Sequence, residues 1–238
     1  MQNSGKKIGI IGAMDVEVKT LKGLLSNPKE TSAGGLTFVE GLLDGVSVVI
    51  VQSGIGKVNA ALCAQRLALQ FGVSHIINTG IAGAAGKGLK VLDFVVSTDA
   101  LYHDFDVRGF GYDICVIPQM ECSDFIADEK MIQAAETAFN ELEGAKGHSL
   151  VKGRVASGDQ FISSKEQKEI IKANCAPACV EMEGAAIAHA CYINKIPFVV
   201  IRCMSDMAED ASESTYDFNE ASAADLSANL VRKMIQRI

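Results

Sequence analysis

Short apolar runs rich in β-branched residues alternate along the chain with longer segments in which apolar residues return at helical spacing. Eight of these runs predict strands: residues 8–11, 36–40, 46–51, 75–78, 93–97, 151–156, 178–180 and 198–201. Four segments predict helices: residues 56–71, 124–142, 184–194 and 219–238. Strands that alternate with helices indicate parallel pairing and a sheet covered by helices.

One connection is short and both begins and ends with glycine. Residues 41–45 (GLLDG) separate two predicted strands and therefore predict a hairpin, which makes its two strands antiparallel. The central sheet is thus expected to be mixed. Because no Pro-rich or Ser-rich linker divides the 238 residues, we expect residues 1–238 to form a single α/β domain, a mixed central β-sheet flanked by helices.

Composition narrows the classes of partner and compartment. The formal net charge of −7, without a basic stripe, argues against nucleic acid or an anionic membrane as the main partner. The seven cysteines lie mostly in apolar stretches, which is typical of reduced, buried thiols. Cys175 and Cys179 lack further ligands at suitable spacing, so no metal site is predicted. With no signal-peptide pattern and no membrane span, we expect a cytoplasmic protein.

Three acidic residues follow predicted strands. Glu17, Glu183 and Asp206 each come just past a buried run. In open α/β sheets, ligands bind in the crevice outside the carboxyl ends of the strands, so these carboxylates are expected to meet at one crevice. Such a cluster suits chemistry that moves protons.

Apolar and small residues accompany the acids at the same strand ends. Met14, Ile55, Phe161, Ile162 and Met182 are expected to form apolar walls, as in most small-molecule pockets. Further residues at these ends are candidates for the same crevice: Ala82, Gly83, Glu181 and Ser205.

Arg202 closes an apolar run, so its stem is expected to be buried and its guanidinium to face the crevice. A buried guanidinium needs an anionic partner, which leaves two compatible interpretations: a structural ion pair with one of the acids, or a bound anion. The glycines nearby favour tight turns over a cofactor site, because residues 9–14 lack the central glycine of a dinucleotide fingerprint and residues 53–57 lack P-loop spacing. No cofactor is predicted.

Seven motifs now bear on function. They are IGIIGAMDVEV, SGIGKVNAA, INTGIAG, YHDFDVRGFGY, SGDQFI, VEMEGAAIAH and FVVIRCMSDMA, in this order from residue 8 to about residue 208. In these motifs the chain resembles the 5′-methylthioadenosine/S-adenosylhomocysteine nucleosidases of the nucleoside phosphorylase superfamily. The resemblance implies a three-layer sandwich and a hydrolase of methionine salvage that releases adenine and a thioribose, without metal or cofactor.

The resemblance also implies roles for the residues at the centre of the crevice. Glu17 would activate water, Asp206 would protonate N7 of the leaving adenine, and Glu183 would bind the ribose hydroxyls. Met182 would pack on the sugar, and Arg202 would help to hold Glu17 and the water.

Further roles implied by the resemblance concern the adenine and the 5′ group. Phe161 would stack on adenine and the Ile162 backbone would read its edge, while Tyr216 falls where the family has an aromatic on a lid over the 5′-alkylthio group. In the homodimer that the resemblance implies, three residues of one subunit would close the neighbour's alkylthio pocket: Val107, Phe110 and Tyr112.

The chain departs from the family pattern at three places. Ile81 replaces the serine of N-T-G-S-A-G, which removes a polar group near the sugar. The acids after Met14 are reduced to Asp15 and Glu17, and Gly184 stands where alanine is usual.

Alternatives remain open from the sequence. A phosphate-dependent purine nucleoside phosphorylase is disfavoured because Asp15 and Glu17 would repel phosphate. A futalosine-type nucleosidase on the same scaffold is not distinguished. A non-catalytic nucleoside-binding protein would not need Glu17 together with Asp206. The sequence does not rank methylthioadenosine against S-adenosylhomocysteine or 5′-deoxyadenosine.

Overall fold

A computed structural model of the chain describes residues 6–209 and 213–238, without the side chains of residues 213–218. Its strands are β1 (Ile8–Gly12), β2 (Ser26–Ala33), β3 (Leu36–Leu43), β4 (Val46–Gln52), β5 (His75–Ala84), β6 (Phe94–Tyr102), β7 (Asp124–Ile126), β8 (Leu150–Ser157), β9 (Cys179–Glu181) and β10 (Phe198–Asp206). Its helices are α1 (Asp15–Gly23), α2 (Lys57–Leu69), α3 (Glu129–Asn140), α4 (Lys165–Cys175), α5 (Gly184–Asn194) and α6 (Glu213–Met234).

All these strands belong to one mixed sheet, as predicted. The strand order is β10-β6-β8-β9-β5-β1-β4-β3-β2, with β7 paired to β6. The β1–β4, β1–β5, β5–β10, β6–β8 and β8–β9 pairs are parallel, and the others are antiparallel. Because β10 also pairs with β5, the strands β5, β10, β6, β8 and β9 form a closed ring.

Helices cover the sheet in two groups. One group consists of α1, α3 and α6, with α6 packed against α1, α3, β5 and β10, and the other contains α2 packed against α5. Helix α5 is apolar on nearly all sides, as its alanine-rich sequence predicts, and lies against β6 and β8. The predicted α/β fold with a mixed central sheet flanked by helices is therefore confirmed.

The predicted strands are all present, but several of them are longer than their apolar runs, and β5, β6 and β10 are extended the most. Strand β5 continues to Ala84 and β10 to Asp206, past the predicted ends at residues 78 and 201. Asp206 therefore ends a strand instead of following one. Both extensions are buried along their whole length, and they pair with each other as parallel strands, with Arg202 opposite Gly80 and Met204 opposite Ala82.

The helix predicted over residues 124–142 is wrong at its start. Residues Asp124–Ile126 form β7, which pairs with β6, and the helix begins only at Glu129. Asp128 caps it, because its carboxylate accepts from the Met131 backbone N–H at 3.0 Å. Asp124, the first acid of the predicted helix, is thus a strand residue, and the acid that caps the helix is Asp128.

Besides β7, three elements were not predicted: β2, α1 and α4. Strand β2 is polar and mostly exposed because it lies at the edge of the sheet, where Pro28 removes no needed hydrogen bond. The predicted hairpin is confirmed, with Asp44 and Gly45 forming its turn at φ of 48° and 86°.

The remaining sequence-based expectations concern cysteines, metals and membranes. Six of the seven cysteines are buried free thiols, and Cys122 is partly exposed. Among the described residues, no group of three or more His, Cys, Asp or Glu could hold a metal ion. In the same part of the chain, no helix is long and apolar enough to cross a membrane.

Candidate active site

A cavity of about 320 Å³ opens where β1, β5, β9 and β10 end. Its lining residues are Ala13, Met14, Glu17, Ile55, Ile81, Ala82, Gly83, Phe161, Val180, Glu181, Met182, Glu183, Ser205 and Asp206. A larger cavity of about 660 Å³ lies between β7 and the end of α5, but it is lined mainly by apolar residues such as Phe125, Ile193 and Phe198. The buried titratable groups converge on the smaller cavity, so we take it as the candidate site.

Glu17 lies in the first turn of α1, directly after β1, and its side chain is buried. One carboxylate oxygen, Oε2, accepts from the backbone N–H groups of Ala13 and Met14 at 2.6 and 3.0 Å, and Oε1 accepts from that of Ile81 at 3.0 Å. Burial raises the pKa of Glu17, while the nearby Arg202 and these backbone donors oppose that rise. A carboxylate with a raised pKa, held by fixed donors, is suited to act as a base.

The close approach of Glu17 to β5 requires glycine at position 80. A Cβ atom there would overlap Glu17 Oε1 and would lie 3.3 Å from Arg202 Nη1. Ser227 of α6 stabilises this point of the strand, because its hydroxyl contacts Thr79 Oγ1 at 2.8 Å and accepts from the Gly80 N–H at 3.3 Å.

The expectation that the Arg202 guanidinium faces the crevice is wrong, because Arg202 does not line the cavity and is 2% exposed. Its Nη2 donates to Glu181 and, at 2.5 Å, to Asn78 Oδ1. Of the two interpretations left open by the sequence, the structure contains the ion pair, and its partner is Glu181 at the end of β9. Glu17 receives no hydrogen bond from Arg202 and is affected by it only through charge.

Glu181 carries most of the hydrogen bonds at the β9–α5 junction. Its Oε2 accepts from the backbone N–H groups of Glu183 and Gly184 at 3.1 and 2.8 Å, and its Oε1 accepts from the Ser157 hydroxyl. Its carboxylate therefore fixes the beginning of α5 and the position of Glu183.

Glu183 is the N-cap residue of α5, and its Oε1 accepts from the Gly56 N–H at 2.9 Å. Burial, followed by the negative charge of Glu181, raises the pKa of Glu183 to about 8, although Arg202 acts in the opposite direction. The side chain can therefore exchange a proton near neutral pH.

Asp206 is buried at the end of β10. Its Oδ1 accepts from the Ala208 N–H at 2.7 Å, and its Oδ2 accepts from the Ser205 hydroxyl at 2.7 Å. Gly83 of β5 faces this carboxylate, because a Cβ atom there would lie 2.9 Å from Asp206 Oδ1. Both oxygens are thus oriented by the protein beside the cavity.

Apolar side chains form the remaining walls. Met14, Ile55, Phe161 and Met182 line the cavity, and Ile55 and Phe161 are more than half exposed at its mouth. Ile162 is buried and lines a small cleft that shares Phe161, Met182 and Asp206 with the main cavity.

Most of the lining residues were expected from the sequence, and the structure brings them together. Ala82, Gly83, Glu181 and Ser205 join the acids and the apolar residues. Val107, Phe110 and Tyr112 do not line the cavity, and the side chain of Tyr216 lies outside the described residues. The roles given to these four residues stay predictions, as do the roles given to the lining residues.

Several functional residues were missed. Ala13 and Val180 line the cavity through small or buried apolar surfaces, which carry no chemical signal in a sequence. Asn78 and Ser157 are buried polar residues within predicted strand ends, a combination that marks them as partners of buried charges. Ile81 contributes its backbone N–H to Glu17, a contact that any side chain at this position preserves.

The chain is similar to known proteins over nearly its whole length. The family model described as the phosphorylase superfamily matches residues 7–236. The 5′-methylthioadenosine/S-adenosylhomocysteine nucleosidase of Colwellia psychrerythraea is 43% identical over 235 residues, which is 98% of this chain and 96% of that protein.

Solved structures have the same fold. The Colwellia psychrerythraea nucleosidase in complex with adenine has a TM-score of 0.93 at 43% identity, with 98% of this chain and 95% of that chain covered. A futalosine hydrolase mutant of Helicobacter pylori has a TM-score of 0.91 at 31% identity, with 98% of this chain and 100% of that chain covered.

Two findings establish the family of this chain: the family model matches residues 7–236, and the Colwellia psychrerythraea nucleosidase is 43% identical over 98% of the chain. The chain belongs to the 5′-methylthioadenosine/S-adenosylhomocysteine nucleosidase family of the phosphorylase superfamily.

Proposed function

We propose that this protein hydrolyses the N-glycosidic bond of 5′-methylthioadenosine and S-adenosylhomocysteine and releases adenine and the thioribose. The observation that carries this proposal is the pairing of two buried carboxyl groups, Glu17 and Asp206, in one cavity with apolar walls. A relative of this family binds adenine in its crystal structure, which supports the choice of leaving group.

The reaction needs an acid because adenine leaves slowly unless a ring nitrogen is protonated. Asp206, as the acid, would donate a proton to N7 as the bond to the sugar breaks. The sugar carbon then becomes similar to an oxocarbenium ion and is captured by water, as in inverting glycosidases. Glu17, as the base, would take a proton from that water, and its raised pKa suits this role.

The remaining lining residues would bind the two halves of the substrate. Glu183 would accept hydrogen bonds from the ribose hydroxyls, beside Met182. Phe161 would stack on the adenine ring, and the Ile162 backbone would contact its edge. Substrate entry would have to displace the proton that Glu183 tends to hold, because its pKa is about 8.

The cavity favours water over phosphate as the nucleophile. Among the described residues, the lining includes four carboxylates, those of Glu17, Glu181, Glu183 and Asp206, and no lysine or arginine. Arg202 is engaged by Glu181 and Asn78 behind the wall and is not available to a bound anion. A phosphorolytic enzyme would need a cationic cradle at this place, so hydrolysis is the better supported reaction.

The decisive measurement is adenine release from methylthioadenosine by the purified protein, with phosphate omitted and then added. We expect release at the same rate in both conditions. Release only with phosphate would make the protein a phosphorylase and the role of Glu17 wrong. Hydrolysis of futalosine without hydrolysis of methylthioadenosine would favour the futalosine-type alternative.

Asp206→Asn should lower kcat by about 10²–10⁴-fold because an amide cannot donate the proton that adenine needs. Binding of substrate should persist, since Asn keeps the acceptor oxygen. Turnover and the affinity for methylthioadenosine would be measured separately. Asp225→Asn, an exposed carboxylate on α6, is the control and should behave as the unchanged protein. Near-normal turnover in Asp206→Asn would refute the acid role.

Glu17→Gln should lower kcat by a similar factor of about 10²–10⁴, because the amide cannot accept a proton from water. Fast mixing would detect whether adenine is released in the first turnover. Glu30→Gln, on the exposed strand β2, is the control. Hydrolysis by Glu17→Gln at the unchanged rate would exclude this residue as the base.

We also infer a homodimer in which Val107, Phe110 and Tyr112 close the partner's pocket. Exposed apolar surface supports a protein contact beside the cavity. Val58 and Leu62, one helical turn apart on α2, are 70% and 58% exposed, and Ile55 at the cavity mouth precedes them. Continuous apolar surface of this kind is typical of a subunit interface.

Leu62→Asp should convert the dimer into monomers, because it places a charge in this apolar surface. Light scattering after gel filtration would give the mass, which we expect to fall from twice the chain mass to one. Leu24→Asp, at the end of α1, is the control and should keep the dimer. A fully active monomer would contradict both the dimer and the shared pocket.

A further inference from the structure

Lys168 is a buried lysine in the second turn of α4. It is 7% exposed, although an ammonium group is seldom buried without partners. Its Nζ donates to the Met207 carbonyl at 2.6 Å and lies 3.6 Å from Glu209 Oε2. Both partners belong to the segment that directly follows Asp206.

The peptide group that Lys168 contacts also contacts Asp206. The Met207 carbonyl and the Ala208 N–H belong to the same peptide unit, and this N–H donates to Asp206 Oδ1 at 2.7 Å. A cation at the oxygen and a carboxylate at the N–H polarise the peptide in the same direction. Each hydrogen bond therefore strengthens the other.

The backbone at this point is held in an unfavourable conformation. Ala208 has φ of 54°, in the left-handed region that residues with a Cβ atom rarely adopt. Ala208 is also fully buried, and a Cβ atom at Gly83 would lie 2.8 Å from the Cβ atom of Ala208. Such a conformation persists only where surrounding contacts maintain it, and Lys168 supplies a strong one.

We propose that Lys168 is a positioning residue for the acid Asp206, acting through the Met207–Ala208 peptide. The inference rests on the proposed function, since it assumes that Asp206 donates a proton. It also links two walls of the cavity, because α4 begins three residues after Ile162 and its Lys168 contacts the end of β10. This contact therefore fixes the position of Asp206 relative to Ile162, whose backbone would contact the adenine.

The first test compares Lys168→Met with two further variants on methylthioadenosine. Lys168→Met should lower kcat by about 10-fold or more and change KM by less than about 3-fold, because the lost function concerns proton donation and not binding. Lys168→Arg, which keeps a cationic donor, should recover most of the activity. Lys172→Met, one turn further along α4 and paired only with Glu169 among the ion pairs described, should match the unchanged protein.

The second test uses a leaving group that departs without a proton, the 4-nitrophenyl 5-methylthio-β-D-riboside. Lys168→Met and Asp206→Asn should both hydrolyse it at nearly the rate of the unchanged protein. A merely structural role would lower the rates on both substrates equally, and that result would overturn the proposal. Unchanged kcat of Lys168→Met on methylthioadenosine would overturn it as well.

Folding and the proposed function are controlled separately. Circular dichroism would establish that Lys168→Met is folded. If it is not, Lys168→Gln, which keeps a neutral donor, replaces it and should show the same selective loss on methylthioadenosine. If the unchanged protein fails to hydrolyse methylthioadenosine, the proposed function is refuted. If it is active and Lys168→Met is equally active, only the role of Lys168 is refuted.

Discussion

The buried ion pair between Arg202 and Glu181 is the interaction on which the site depends. It joins the middle of β10 to the end of β9, and Asn78 connects it to β5. Loss of either charged partner would leave an uncompensated buried charge, which typically costs ~3–5 kcal/mol. Glu181 in turn holds the first backbone N–H groups of α5, so the same pair determines where Glu183 is placed.

Arg202 is a single cation near several carboxylates. Glu17, Glu181 and Glu183 all lie within electrostatic reach of Arg202, and the cation cannot neutralise all of them. Burial therefore raises the pKa of Glu17 and Glu183 in spite of the nearby arginine. Glu183, whose pKa is raised to about 8, can therefore hold a proton at neutral pH at the place where a nucleoside would bind.

Much of the fold and of the site was predictable because both follow from strand ends. Buried apolar runs located the strands, and the residues after them, such as Glu17 and Met182, were brought together as predicted. What the sequence did not reveal depends on long-range pairing. Strand β10 continues through Arg202 to Asp206 because β5 satisfies its backbone, and no local pattern indicates that. The partner of Arg202 likewise depends on where β9 pairs: residues 178–180 predict the strand, but no local pattern indicates that its pairing with β5 and β8 brings Glu181 to Arg202.

The closed ring of β5, β10, β6, β8 and β9 has a consequence for how the protein acquires its pocket. Phe198 of β10 lies opposite Ile76 of β5, and β9 completes the ring through Gly83 and Val180. Every one of these pairings joins distant parts of the chain. The chain therefore loses conformational entropy in closing each loop before the strand pairing stabilises it. No short fragment of the chain contains the pocket, because its lining runs from Ala13 to Asp206. The pocket is therefore complete only in a molecule in which the ends of the ring have met.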